Sequence, residues 1–139
     1  MKKITIFILA VLMAVACIST ALAANWVEIG RDNDRINFVD ASSFKRTGSS
    51  FRIREKTILR SSQARAECKR VFNLSKTPVY ITDWWEYKIN KPIARTIEGE
   101  EIYAKDGTVL MSLAPHGEWH PISETNRIWL FGRKKLGLK

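Results

Sequence analysis

The sequence predicts a mainly β (α+β) fold, an antiparallel sheet of about six strands carrying a short C-terminal helix. Two observations lead there. Strand-length runs rich in β-branched and aromatic residues follow one another along the 139-residue chain, separated by clusters of Gly, Pro, Asn, Asp and Ser. Helical periodicity is scarce by comparison, and the stretch Ile122 to Phe131 is its best example.

The chain opens on Lys2 and Lys3, an uncharged and mostly apolar run from Ile4 to Ala16, and then Ala21-Leu22-Ala23-Ala24. A positive start, an apolar stretch and an A-x-A pattern make a secretory leader. Residues 1–23 are therefore expected to be removed, leaving 24–139 as one exported domain in the periplasm or on the outer cell surface. Two alternatives stay open. Extended to Ala24, the uncharged stretch approaches bilayer-spanning length, which would make an uncleaved anchor. Cys17, after Met13-Ala14-Val15-Ala16, half fits a lipidation site. Membrane association is expected only in those two cases.

The first exported segment, Trp26 to Gly30, is a strand, Arg31 to Asp34 a turn, and Arg35 to Asp40 the returning strand. Asp32 and Asp34 have the opening spacing of a calcium loop, but Ile36 falls on the next ligand position and the required Gly is missing. They are better explained as turn formers that bond nearby backbone. Asp40 to Ser43 is expected to form a second turn or a helical corner, and Thr47 to Ser50 a hairpin connection. Phe51 to Leu59 then begins with Phe51 and Ile53 inward and Arg52 and Arg54 outward.

After a polar connection, Ala64 to Leu74 is expected to be another strand, with Ala64, Ala66 and Cys68 on one face. Pro78 ends it. Tyr80 to Ile89 is aromatic and strand-forming, and the adjacent Trp84 and Trp85 cannot share a face of a regular strand. One is free to anchor the core while the other lies outward or against a partner. Ile97 to Ala104 and Thr108 to Leu113 follow, joined by the Asp106-Gly107 turn. The C-terminal helix places Ile122, Thr125 and Trp129 near one stripe, with Ser123 or Thr125 as its cap.

Of the 23 Lys and Arg, Lys2 and Lys3 leave with the leader, so 21 face 14 Asp and Glu and the balance falls from +9 to +7. Such an excess attracts polyanions and says nothing about fold. Four of these cations lie between Arg133 and Lys139. Cys68 is the one cysteine left after leader removal, expected to be buried, and the absence of Cys-x-x-Cys excludes thioredoxin-type chemistry.

Several landmarks together resemble the bacterial surface-adhesin protein E-like family: the leader, Trp26-Val27-Glu28-Ile29-Gly30, Phe38-Val39-Asp40-Ala41-Ser42-Ser43, a charged segment containing Cys68, and Gly117-Glu118-Trp119-His120-Pro121-Ile122. The resemblance implies a small exported domain with an antiparallel sheet and an attached helix. Its namesake binds host matrix and serum proteins, and many relatives are periplasmic. It also implies a second cysteine pairing with the counterpart of Cys68, whereas Trp129-Leu130-Phe131-Gly132 here contains none. Trp119 is expected to plug the core.

Chemistry is sparse. In a strand, His116, Glu118 and His120 would share a face and offer ligands to zinc, but Pro115, Gly117 and Pro121 favour a bent connection. Cys68 as a nucleophile conflicts with its expected burial. No phosphate-cradling glycine loop or serine nucleophile elbow is present. No catalytic residue, cofactor site or metal site is therefore expected. The sequence points to a non-enzymatic binding or surface-interaction domain. The candidate surface is Arg52, Arg54, Trp84, Trp85 and Lys88, with Lys69, Arg70 and Arg95 as further cations. Its partner would be an extracellular or envelope protein, an acidic polymer or a second copy of the chain, with no specific nucleic acid. The alternatives are a periplasmic structural or accessory protein, and a small secreted hydrolase using His116 and His120.

Overall fold

The computed structural model describes residues 23–139, so residues 1–22 of the expected leader, Cys17 among them, lie outside the described residues. The elements are β1 (Trp26–Arg31), β2 (Arg35–Thr47), β3 (Ser50–Leu59), α1 (Ser62–Val71), β4 (Tyr80–Lys88), β5 (Ile93–Tyr103), β6 (Val109–Leu113), β7 (His120–Pro121) and α2 (Arg127–Lys135). The sheet is an antiparallel meander in the order β1-β2-β3-β4-β5-β6, and β7 adds to β5 at Ile93 and Ala94. The fold class matches the expectation, with one helix and one short strand more among the described residues.

Local chemistry explains the turns. The Asp32 carboxylate accepts from the amides of Asp34 and Arg35 and closes the β1–β2 hairpin. Gly48 turns β2 into β3 at φ +60, a region other residues seldom enter. The expected corner at Asp40 to Ser43 is a bulge inside β2, where the register jumps from Asp40↔Arg54 to Lys45↔Arg52. Asp40 builds it by accepting from the amides of Asn25 and Ser42 and from the Ser42 hydroxyl. The Ser43 hydroxyl completes it, donating to the Asp40 carbonyl and accepting from the Arg54 amide. Short polar side chains satisfy the backbone that the bulge leaves unpaired, so the strand continues.

Ala64 to Leu74 is a correction. The segment forms α1, followed by Phe72, Asn73 and Leu74 leaving the helix. Ser61 caps it by accepting from the Ala64 amide at 3.0 Å. Ala64 and Cys68 are buried and Ala66 is exposed, which is a four-residue repeat and not alternation. Cys68 is buried and free, as a side chain facing Leu59, Leu74 and Ile102. Lys69 and Arg70 therefore belong to a helix and not to the sheet.

The C-terminal helix begins later than expected. Asn126 is its cap, accepting from the amides of Ile128 and Trp129, while Ser123 and Thr125 bond each other in the preceding turn. Gly132 lies flat on the Phe51 ring, where an added Cβ would come within 2.1 Å. The Trp129 indole donates to the Lys88 carbonyl at 2.7 Å, and Arg133 donates to the Ile89 carbonyl at 2.6 Å. These contacts hold the cysteine-free segment to the sheet.

Both helices cover the same face. Under α2 lie Val39, Phe51, Ile53, Tyr87, Ile89 and Ala94. Under α1 lie Leu59 and Ile102, with Ile81 packed against them. Between the two clusters runs a polar strip in which Glu55 of β3 sits directly opposite Asp83 of β4. Among the described residues the other face carries no helix.

Candidate functional site

Register assembles the uncovered face row by row. Arg52 pairs with Glu86, and Glu86 with Arg95. Asp40 pairs with Arg54, Arg54 with Trp84 and Trp84 with Glu98. Phe38 pairs with Lys56, Lys56 with Thr82 and Thr82 with Glu101. Ile58, Tyr80 and Tyr103 form the last row.

This face brings Arg52, Arg54, Trp84 and Lys88 together. Trp85 falls on the opposite face. There it tilts against Tyr87 at 6.2 Å, meets His120 edge-on at 5.4 Å and donates its indole N–H to Asp83 at 2.6 Å. The split matches the alternation rule, and a register jump between Trp84↔Glu98 and Trp85↔Thr96 accommodates it in the ladder.

Charges of both signs share the face. Glu86 is buried and holds Arg95 at 2.6 Å, with Arg52 further off at 3.8 Å. The buried Nε of Arg52 has no hydrogen-bond partner. Arg54 and Lys56 make no ion pair among the described residues. Both stand over Trp26, with Lys56 Nζ at 4.4 Å from the ring centroid and Arg54 at 5.7 Å. Burial, and next the neighbouring Arg54, push the Lys56 ammonium below its usual pKa. Burial opposes ionisation of Asp40, but its bonds from Ser42 and Asn25, with the charge of Arg54, prevail and hold the carboxyl below its ordinary value.

Trp119 is a second correction. It is half-buried beside the sheet, with Lys88 at 4.8 Å and Arg95 at 4.6 Å from its ring, and does not plug the core. His116, Glu118 and His120 are exposed on the connection before and within β7. Among the described residues no group of three His, Cys, Asp or Glu side chains is placed to hold a metal. Likewise, no described helix is long and apolar enough to cross a membrane.

Three depressions mark the face, the smallest of them, about 190 Å³, lying beside Trp84 and Glu98. The largest, about 410 Å³, lies between Trp26 and the stacked pair Tyr80–Tyr103, whose centroids are 4.5 Å apart. Another, about 300 Å³, opens between Arg52, Arg95 and Pro115. Sequence reasoning missed Trp26, Lys56, Tyr80 and Tyr103. One further step along the alternation of Arg52 and Arg54 finds Lys56, whereas Trp26 and the tyrosines converge through strand pairing that no local pattern reports.

The covered face holds the strongest electrostatic perturbation. Burial pushes Asp83 up to about 6, opposed by the Trp85 indole and reinforced by Glu100. Burial, and then the charge of Asp83, raise Glu55 well above its usual range despite a hydrogen bond from Tyr87. Perturbed acid pairs occur at catalytic centres; here Glu55 and Asp83 are half-buried and accept from Tyr87 and Trp85 in the strip between the helices. No family model, curated protein or solved structure matches this chain.

Proposed function

We propose that the chain is an exported, non-catalytic interaction domain of the surface-adhesin protein E-like kind, which holds an extracellular partner on its uncovered sheet face. One observation carries the reading. Both helices pack on the same side, leaving a broad surface where Trp26, Trp84 and Tyr80 stand among Arg52, Arg54, Lys56 and Lys88. Aromatic and arginine side chains of this kind dominate interface energetics, because they offer large contact area with a polar end. Trp84 has the position of an anchor. It lies mid-face and half-buried, and unlike Trp85 and Trp129 its indole donates to nothing among the described residues.

Contact is therefore made by shape and by matched charge. The leader-like start supports export, and the alternative of a periplasmic accessory protein differs in location and not in fold. Protease treatment of intact producing cells separates the two, because a surface adhesin is cleaved and a periplasmic protein is protected. Protein purified from those cells should bind immobilised serum and matrix proteins. Trp84→Ala should weaken that binding at least tenfold, while Lys134→Gln on α2 should leave it unchanged. Equal binding by all three proteins would overturn the assignment of the uncovered face.

A further inference from the structure

We propose that the groove beside Trp26 is a binding site for a carboxylate-bearing sugar ring, through which the protein grips a uronic-acid polysaccharide outside the cell. The proposal rests on the uncovered face being a contact surface, and names the ligand for one part of it. At about 410 Å³ the groove falls in the size range of small-ligand sites. Its lining combines the apolar surfaces of Trp26, Ile58, Tyr80 and Tyr103 with two cations, Arg54 and Lys56, and no carboxylate. A pyranose ring with an acid group has the matching halves, a C–H face for the aromatics and an anion for the cations.

The charges locate the anion. Across the strands Lys56 faces Phe38 and Thr82, so it has no acid of its own. Arg54 faces Asp40, which offsets part of its charge, and Trp84 on the other side. Two cations are thus held close together against an aromatic ring with less than one full counter-charge. A bound carboxylate supplies what is missing, in a partly desolvated setting where charge-assisted hydrogen bonds are strong. The Tyr80 hydroxyl makes no internal hydrogen bond among the described residues, so it remains available to a sugar hydroxyl. Tyr103 differs, its hydroxyl being committed to Glu101.

Other polyanions fit less well. Single-stranded nucleic acid is held by successive bases stacking along a row of aromatic side chains, whereas the aromatic walls here enclose one small groove. An acidic peptide bound by strand addition needs a sheet edge. The groove is instead centred on β3 and β4, whose backbone groups are paired on both sides.

The test is a calorimetric titration of the protein purified from producing cells with trigalacturonate, with maltotriose and an oligothymidylate as comparisons. Saturable trigalacturonate binding that weakens with added salt is expected. Lys56→Met and Arg54→Gln should each weaken it at least tenfold, and Lys134→Gln should not. No saturable binding by a protein with an unchanged melting transition would overturn the proposal. So would equal binding of maltotriose, equal binding by Lys56→Met and Arg54→Gln, or tighter binding of the oligothymidylate. Trp84 lies outside this groove, so its effect on protein partners is a separate readout. If trigalacturonate fails while Trp84→Ala still abolishes binding to matrix protein, only the sugar assignment falls.

Discussion

Glu55 and Asp83 sit directly opposite each other on adjacent strands, on the face that also holds the core. Like charges in that position repel, and burial penalises each of them further. Their raised pKa values give stability a definite sign. A group whose folded pKa exceeds its unfolded value favours folding at low pH, and the contribution is lost as pH rises through the folded value. For Asp83 the window runs from the ordinary carboxyl range up to about 6. A shift of that size corresponds to roughly 2–3 kcal/mol. Urea denaturation should therefore show Asp83→Asn gaining on the parent protein by about that amount between pH 3.5 and pH 7.5. An unchanged difference across that range would count against a raised Asp83 pKa. Gly132 gives a second prediction. Ala normally stabilises a helix interior by about 1 kcal/mol over Gly. Here the added methyl would meet a fully buried Phe51 ring, so Gly132→Ala should destabilise by about 1–3 kcal/mol, read as a lower melting temperature.

At the scale of single elements, strands were legible and helices were not equally so. β3 and β4 follow a two-residue period, and that period alone assigns Arg52, Arg54 and Trp84 to one side. α1 defeated the same reasoning because Ala64 and Cys68, four residues apart, satisfy a strand's period as well as a helix's, and the small Ala66 between them does not discriminate. The discriminating residue was Ser61, whose hydroxyl accepts from the Ala64 amide and donates to Asp34. Ser61→Ala should cost about 1 kcal/mol in urea denaturation, with the loss concentrated in helical signal from α1. Asn126 was missed in the same way, since Ser123 and Thr125 are equally good caps by composition. What decides is chain direction. The cap must sit where Trp129 and Gly132 meet Phe51 and the Lys88 carbonyl, a constraint set by the sheet.

For the molecule as a whole, the two faces divide the work. One is closed by helices and the other is furnished for contact, a division that follows from the order of elements and was foreseen only in outline. The candidate surface was legible where it depends on one strand's period, as for Arg54 and Trp84. It was illegible where β1, β3, β4 and β5 converge, because Trp26 and Tyr103 are far apart in sequence and reach one groove through register. Closure of the helical side depends strongly on Trp129. Trp129→Ala should remove about 3–5 kcal/mol, detected as a fall in the urea midpoint, and Trp129→Phe should recover the packing but not the bond to Lys88.

The acidic strip separating the two apolar clusters also bears on how the protein breathes. Without a continuous greasy interior, the α1 end and the α2 end need not open together. At neutral pH, amide protons in α1 and β6 should exchange with solvent at a lower free energy than those beneath α2, and Asp83→Asn should narrow the gap by joining the halves into one cooperative unit.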